Sequence, residues 1–165
     1  MIIISALLIL RASGPAPNVA WPAPARGMSA KKEGQMITIV AGSRSITDYE
    51  IVKEAIEKSG FDITCIVSGG AKGVDSLGEQ YARENGIELK RFPANWEDFS
   101  EPCLRRFNRS GRPYNALAGT RRNREMAEYA EALIAVHNGS SGTLDMIRQA
   151  KSRGLPVFEY RIRPE

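Results

Sequence analysis

From Met36 onward, short apolar runs alternate with longer segments whose apolar residues recur at helical spacing. Strand and helix repeated in this way are typical of a parallel sheet covered by helices on both faces. Each crossover from one strand to its parallel neighbour is expected to be right-handed. The pattern therefore predicts an α/β fold: a single domain with a doubly wound, Rossmann-like parallel sheet of about five strands.

The strands are predicted at 37–41, 62–67, 87–92, 132–136 and 156–160, in the sheet order 3-2-1-4-5. The intervening helices are one capped by Thr47 or Asp48 and closed by Gly60, one over 74–84, one from a cap at Thr120 to Ala130, and one over 144–152. Residues 93–119 lack periodicity and are predicted to form a long irregular loop.

Residues 1–35 are predicted to be a disordered extension ahead of a domain over 36–165, because most of them are rich in Pro, Ala and Gly without periodicity. The apolar start lacks the charged segment of a signal peptide and is too short to cross a bilayer, so no membrane association is expected. The net charge of the chain is +4, of which the extension carries +3. The domain itself is therefore nearly neutral.

Cys65 and Cys103 have neither the number nor the spacing of a disulfide framework or a metal site, and His137 is the only histidine. These counts predict a protein of the reducing cytoplasm without a metal site. No cofactor is expected either. His137 follows a predicted strand, where a hydrogen-bonded structural role is favoured over that of a general base.

The turn from Ser68 to Asp75 joins the second predicted strand to a helix and contains three glycines. Backbone N–H groups in such a turn can point at an anion that also faces the positive end of the helix dipole. A phosphate is therefore the predicted ligand of this turn. Asp75 could accept a hydrogen bond from a ribose hydroxyl or could stabilise the start of the helix, and the sequence leaves both roles open.

Two further turns of similar composition follow the first and fourth strands, and in the predicted order the second, first and fourth strands lie side by side. Because ligands bind at the carboxyl ends of parallel strands, all three turns are expected to open onto one crevice. The candidate ligand residues are Gly42, Ser43 and Arg44 in the first turn, Ser68, Gly69, Gly70, Lys72, Gly73 and Asp75 in the second, and Gly139, Ser140, Ser141, Gly142 and Thr143 in the third.

A basic segment from Arg105 to Arg124 contains seven arginines and no acidic residue. Arg122 is predicted to clamp a phosphate or carboxylate of the ligand, and Asn123 either to read a base edge or to cap the helix. The aromatic residues of the preceding loop could stack on a base, although pinning the loop to the domain is the more common role for such residues.

Four motifs in order resemble the SLOG superfamily, specifically its YspA/YpsA-related branch, over about residues 36–160. They are Ile39–Arg44, Ser68–Asp75, Arg122–Met126 and Gly139–Thr143. The superfamily is named for the DNA-processing protein Smf/DprA and the "Lonely guy" phosphoribohydrolases, and the resemblance implies a Rossmann-like domain that binds nucleotides or nucleotide-derived ligands, as sensor or processor. It also implies a homodimer.

The resemblance does not by itself imply hydrolase activity, because one motif of the hydrolases differs in this chain. The phosphoribohydrolases have a Gly-Thr-x-x-Glu turn, whereas this chain has Met146 at the glutamate position and Asp145 one residue earlier. One residue rotates a helix position by about 100°. If the protein is an enzyme, it is expected to be an N-glycosidic hydrolase acting on a nucleotide, with Arg122 and Asp145 as catalytic residues.

Three functions follow from these observations. The first is binding of a nucleotide or an ADP-ribose-like molecule. The second is hydrolysis of a nucleoside monophosphate. The third, ranked last, is binding of single-stranded DNA through the segment from Arg105 to Arg124, with an affinity that falls steeply with salt.

Overall fold

The computed structural model describes residues 36–163, all within one compact unit. The predicted disordered extension, 1–35, lies outside the described residues. The elements are β1 (Met36–Gly42), α1 (Tyr49–Ser59), β2 (Ile63–Ser68), α2 (Val74–Glu84), β3 (Glu88–Arg91), β4 (Arg105–Phe107), β5 (Pro113–Asn115), α3 (Ala118–Tyr129), β6 (Ala132–His137), α4 (Ser141–Ser152) and β7 (Val157–Arg161).

Five of the strands form one parallel sheet in the order β3-β2-β1-β6-β7. The predicted fold class and strand order are thus confirmed. β1 is the central strand, and it pairs with β6 without interruption from Thr38 opposite Ala132 to Gly42 opposite Val136. Both strands therefore end at the same level, so the turns that follow them lie at the same edge of the sheet.

The two faces of the sheet bury different sets of side chains, because successive residues of a strand point to opposite faces. On one face Ile39 and Leu133 pack in a cluster with residues of α3 and α4. On the other face Val40 and Ile134 pack in a cluster with residues of α1 and α2. Every residue of β6 is buried, so its continuous apolar run is that of a strand covered on both sides.

Local capping explains where α1 begins and ends. The Asp48 side chain accepts a hydrogen bond from the Glu50 N–H at 3.0 Å, and Gly60 closes the helix in the left-handed conformation. The starts of two other helices differ from the prediction. α3 begins at Ala118, so Thr120 lies inside it rather than at its cap, and α4 begins at Ser141 rather than Leu144.

The segment 93–119 is not wholly irregular, because β4 and β5 form an antiparallel hairpin within it. The prediction of a loop without secondary structure was wrong here. Each strand has only three residues, and all but two of the six side chains are exposed. A hairpin that buries so little leaves no apolar alternation by which a sequence could reveal it.

Candidate functional site

The crevice lies at the point where the sheet reverses its winding. After β1 the chain continues to β2, which lies on one side of β1, whereas β6 lies on the other side and leads to β7. The connections that follow β1 and β6 therefore run in opposite directions along the sheet and leave a gap between them. A cavity of about 480 Å³ occupies this gap. Its lining comes from four places: the turn after β1 (Gly42–Ser45), the start of α4 with Ser140, the α2 turn (Ala71 and Asp75), and α3 (Arg122, Asn123 and Met126).

Hydroxyl groups connect the first and third turns at the floor of the crevice. The Ser43 hydroxyl donates to Ser140 Oγ at 2.8 Å and accepts from the Asn138 N–H at 3.2 Å. Ser140 Oγ also lies 2.8 Å from Thr143 Oγ1. This chain of hydroxyls stands beside the first N–H groups of α4, at Ser141 and Gly142, which have no acceptor within the helix. An anion placed there would meet several donors at once.

Gly42 is required by close packing at the end of β1. A Cβ built on it would lie 1.9 Å from the Val136 carbonyl oxygen and 2.6 Å from Val74 Cγ2. Gly73 has a similar role, since its φ is +80° and a Cβ there would lie 2.5 Å from the Ser43 carbonyl oxygen. These two glycines bring the three turns into contact, and neither has to touch a ligand to be needed.

The glycine turn before α2 already binds an acidic side chain, the carboxyl group of Asp75. Asp75 Oδ2 accepts a hydrogen bond from the Ala71 N–H at 3.3 Å, and the backbone N–H groups of Gly42 and Gly69 also favour its charged form. Burial raises the pKa of Asp75, while Arg122 and these N–H groups oppose the rise. Asp75, which is 4% exposed, therefore takes up N–H groups that the sequence assigned to a phosphate.

Most other residues of this turn do not line the crevice. The buried Ser68 hydroxyl donates to Glu79 Oε1 at 2.8 Å and accepts from the Gly70 N–H. Ser68, Gly69, Gly70, Lys72, Gly73 and Gly139 are absent from the lining of the crevice. The other candidates, Gly42, Ser43, Arg44, Asp75, Arg122, Asn123, Ser140, Ser141, Gly142 and Thr143, all line it.

Arg122 connects the second turn with α3. Its Nη1 donates to the Gly69 carbonyl oxygen at 2.6 Å, and its Nε donates to Asn123 Oδ1 at 3.1 Å. Burial lowers the pKa of the guanidinium, and the nearby Asp75 raises it again. An arginine remains charged under any ordinary condition. Arg122 thus brings a partly desolvated positive charge to the crevice, where it can bind an anion more strongly than an exposed arginine could.

A second cavity, of about 620 Å³, adjoins the first. The two share five lining residues: Arg44, Arg122, Asn123, Ser141 and Gly142. The second is bounded by Trp96 from the segment after β3, by Gly119 and Thr120 of α3, and by Leu144, Asp145 and Arg148 of α4. The Trp96 ring contacts Tyr114 edge-on, with 6.3 Å between centroids, and is 38% exposed. The groove therefore has a hydroxyl-rich end and an aromatic end.

Asp145 faces the second cavity, and both of its carboxylate oxygens have partners. Asn123 Nδ2 donates to Oδ2 at 2.9 Å, and Arg148 forms an ion pair with Oδ1. Met146 instead lines the first cavity. The rotation of one helical position thus turns the only candidate carboxylate of α4 toward α3, where it holds the buried amide of Asn123.

We expect Asp145→Ala to lower stability by about 1–2 kcal/mol, because the buried Asn123 amide loses its better acceptor and keeps only the Gly142 carbonyl, at 3.3 Å. Thermal or urea unfolding measures this change. Arg148→Ala is the matched control, since it removes only the exposed partner and should change stability by less than about 0.5 kcal/mol. Equal loss in both variants would contradict the role of Asp145 as the acceptor for Asn123.

His137 is fully engaged inside the fold. Its Nδ1 accepts from the Gly139 N–H at 3.1 Å, which assigns the proton to Nε2, and Nε2 then donates to Glu159 Oε1 at 2.9 Å. The ring is 1% exposed. Its position matches the structural role favoured from the sequence.

The sequence missed several residues of the groove. Ala71 and Ser45 lie in the predicted turns but carried no special signal. Met126 was noted as the end of a motif, and Met146 only as the residue at the position of a missing glutamate. Trp96 was weighed as a stacking residue, and the position of its ring at the second cavity was not predictable from spacing. Over residues 36–163 there is no cluster of side chains suited to a metal ion, and no helix that is long and apolar enough for a membrane span.

Comparison with known proteins agrees with this architecture. The X-ray structure of DNA processing protein A (DprA) from Streptococcus pneumoniae is similar, with a TM-score of 0.56 and 22% sequence identity over 76% of this chain and 50% of that chain. The chain thus spans half of that protein, and the likeness at this identity concerns the fold. No curated protein matches. A family model described as YAcAr, the YspA, cpYpsA-related SLOG family, matches residues 36–99, from β1 to beyond β3. The first part of the described domain is thus similar to the YspA- and cpYpsA-related SLOG family, in agreement with the resemblance carried by the sequence motifs.

Proposed function

We propose that the protein binds a nucleotide or a nucleotide-derived ligand, such as an ADP-ribose-like molecule, in the groove formed by the two cavities, as a sensor or processor. One observation carries the proposal: a hydroxyl-rich cavity and an aromatic cavity meet at Arg44 and Arg122. A nucleotide has the same division, with a charged phosphate at one end and a flat base at the other. The similarity of residues 36–99 to a SLOG family and the fold shared with a DNA processing protein support a role related to nucleotides or DNA.

The phosphate is assigned to the end of the groove near Ser43, Ser140 and the start of α4. Hydroxyl groups and free helix N–H groups are donors that suit phosphate oxygens, and Arg44 and Arg122 supply the positive charge. The nearly neutral domain makes this local charge, rather than overall basicity, the source of attraction. The base is assigned to the second cavity, where the exposed part of the Trp96 ring offers a stacking surface.

Asp75 receives a positioning role in this proposal. Because its carboxyl group accepts from N–H groups of the α2 turn, it fixes Ala71 at the edge of the crevice, and its proximity to Arg122 opposes the lowering of the Arg122 pKa by burial. Lys72, which is exposed, and the glycines of the turn are assigned no contact with the phosphate. The protein is expected to act in the cytoplasm, where its free thiols Cys65 and Cys103 would stay reduced, and to form a homodimer.

Thermal-shift measurements test the proposal with AMP, ADP, ADP-ribose and adenosine at millimolar concentration. A ligand present at about 100 times its Kd stabilises the native state by about 2.7 kcal/mol. We expect the phosphorylated compounds to raise Tm by several degrees and adenosine to raise it less, because adenosine lacks the charged group that Arg122 and the hydroxyls bind. If none of these compounds raises Tm, and guanine and pyrimidine nucleotides do not raise it either, the proposal of a nucleotide site is rejected.

A further inference from the structure

The β4–β5 hairpin is an ordered arm whose outward side chains have no part in holding the fold together. Asn115, fully buried, fixes its base: its side-chain oxygen accepts from the Leu104 and Leu117 N–H groups, and its Nδ2 donates to the Asp98 carbonyl at 2.8 Å. Arg121 secures the preceding segment by an ion pair with Asp98 and by a bond to the Ser100 carbonyl. The arm is thus anchored by two side chains at its base.

The tip is ordered as well. Asn108 Oδ1 accepts from the N–H groups of Ser110 and Arg112, and the Asn108 N–H donates to the Arg112 carbonyl at 3.0 Å. Gly111 supplies the left-handed conformation, with φ +75°, that closes the turn. These contacts use backbone groups and one asparagine, so the arginine side chains of the tip are not needed to form it.

Those arginine side chains carry an unbalanced charge. Arg106, Arg109 and Arg112 are exposed, and in the described part of the chain none of them takes part in an ion pair. Arg105 differs, because it lies over the Phe99 ring at 4.6 Å from the centroid. No acidic residue occurs from 102 to 124 to neutralise the segment. Three exposed arginines on one hairpin in a nearly neutral domain form a local site for a polyanion.

An exposed aromatic ring accompanies the arginines. Phe107 is 66% exposed at the end of β4, opposite Pro113. On the other side of the hairpin Arg106 pairs with Tyr114, whose ring contacts Trp96 at the mouth of the second cavity. Cationic side chains interleaved with stacking rings are the combination that binds single-stranded nucleic acid, in which the bases are free to stack.

We propose that the β4–β5 hairpin is a docking arm for single-stranded nucleic acid: Arg106, Arg109 and Arg112 contact phosphodiester groups, and Phe107 stacks on a base. This site is separate from the nucleotide groove, and either can exist without the other. Arginine is suited to it because its planar fork binds phosphate oxygens bidentately. Acidic protein surfaces would also attract the charge but would offer no unstacked ring to Phe107.

The test measures binding of a fluorescein-labelled oligothymidylate of about 12 nucleotides to the full chain by anisotropy at several salt concentrations. Neutralising three phosphates on a single strand gives a slope of about −2 for log K against log salt, which is about a 20-fold loss between about 50 and 200 mM salt. In the variant with Arg106, Arg109 and Arg112 all replaced by Gln, we expect the slope to rise toward zero and the affinity at low salt to fall at least about tenfold.

A charge-matched control replaces Lys58, Lys90 and Lys151 by Gln. These residues are exposed, lie outside the hairpin, and carry the same total charge as the three arginines. The control should retain the slope of the native protein. Equal losses in the control and in the hairpin variant would overturn the proposal, as would equally tight binding of polyglutamate or absence of oligonucleotide binding at about 50 mM salt.

The ring is tested by Phe107→Leu, which keeps an apolar side chain but removes the flat face. Stacking predicts a loss of about 5-fold or more in oligonucleotide affinity, with an unchanged salt slope. Affinity equal to that of the native protein would overturn the stacking contact. The thermal shifts produced by mononucleotides should be the same in both hairpin variants as in the native protein. If only Arg122→Gln abolishes oligonucleotide binding, the oligonucleotide binds in the groove and the proposal of a docking arm is wrong.

Discussion

Gly42→Ala is expected to lower the free energy of unfolding by about 3 kcal/mol or more and Tm by about 10 °C. The added Cβ would lie 1.9 Å from the Val136 carbonyl oxygen, a backbone atom of β6 at the last pair of β1 with β6, and 2.6 Å from Val74 Cγ2. A flexible side chain could move aside, but a carbonyl in the sheet cannot move without breaking the pairing of β1 with β6. Urea or thermal unfolding followed by circular dichroism measures the loss.

Gly142→Ala is the matched control, because it makes the same change on another wall of the same crevice. A Cβ at Gly142 would have open space around it, and the residue lies in the first turn of α4 without a positive φ. Replacing glycine by alanine in a helix favours folding by up to about 1 kcal/mol. We therefore expect Tm to stay constant or rise in this variant. Comparable destabilisation in both variants would contradict the packing role given to Gly42.

Arg122→Gln is expected to weaken binding of the phosphorylated ligand by about 10- to 100-fold. Hydrogen bonds to a charged group contribute about 1.5–3 kcal/mol, and each 1.4 kcal/mol is about a factor of ten in Kd. The guanidinium is partly desolvated beside Asp75, so its charge is poorly screened at the crevice. Isothermal titration with the nucleotide that gives the largest thermal shift measures the change in Kd.

Two comparisons separate a lost ligand contact from a damaged fold. Arg124→Gln removes an exposed charge two residues later on α3, away from both cavities, and should leave Kd within about twofold, a change of about 0.4 kcal/mol. Arg122→Lys keeps the charge near Asp75 but loses the planar fork, so it should fold well and still bind more weakly than the native protein. Native affinity in Arg122→Gln would remove Arg122 from the site.

The α/β fold could be read from the sequence because its signals are local and repeated. The apolar run 132–136 is long enough for a strand and is apolar throughout, which requires burial on both faces. Asp48 and Gly60 delimit the first helix through side-chain and backbone preferences that act within a few residues. The strand order then follows from the rules of right-handed crossovers and short connections.

Only part of the candidate site could be predicted from the sequence. Composition identified which turns would meet, because glycine and serine are the residues that tight strand-to-helix turns require. It could not assign partners to the N–H groups of the Ser68–Asp75 turn. Asp75 is the second residue of α2, and only the folded turn places its carboxyl group against the Ala71 N–H, four residues earlier, and near the Gly42 N–H at the end of β1. The hairpin was missed for a different reason, since its short, exposed strands bury too little to leave a pattern.

The sequence by itself therefore determined the architecture and the edge of the sheet at which the candidate turns lie. Periodicity and glycine placement are properties of neighbouring residues, and they suffice for both. The tertiary structure decided which groups at that edge are still available: Asp75 occupies the N–H groups of one turn, Asn123 and Arg148 occupy the oxygens of Asp145, and Arg122 and the hydroxyls around Ser140 line the crevice. Hydrogen-bond partners far apart in the chain are chosen by packing, and packing exists only once the sheet has formed.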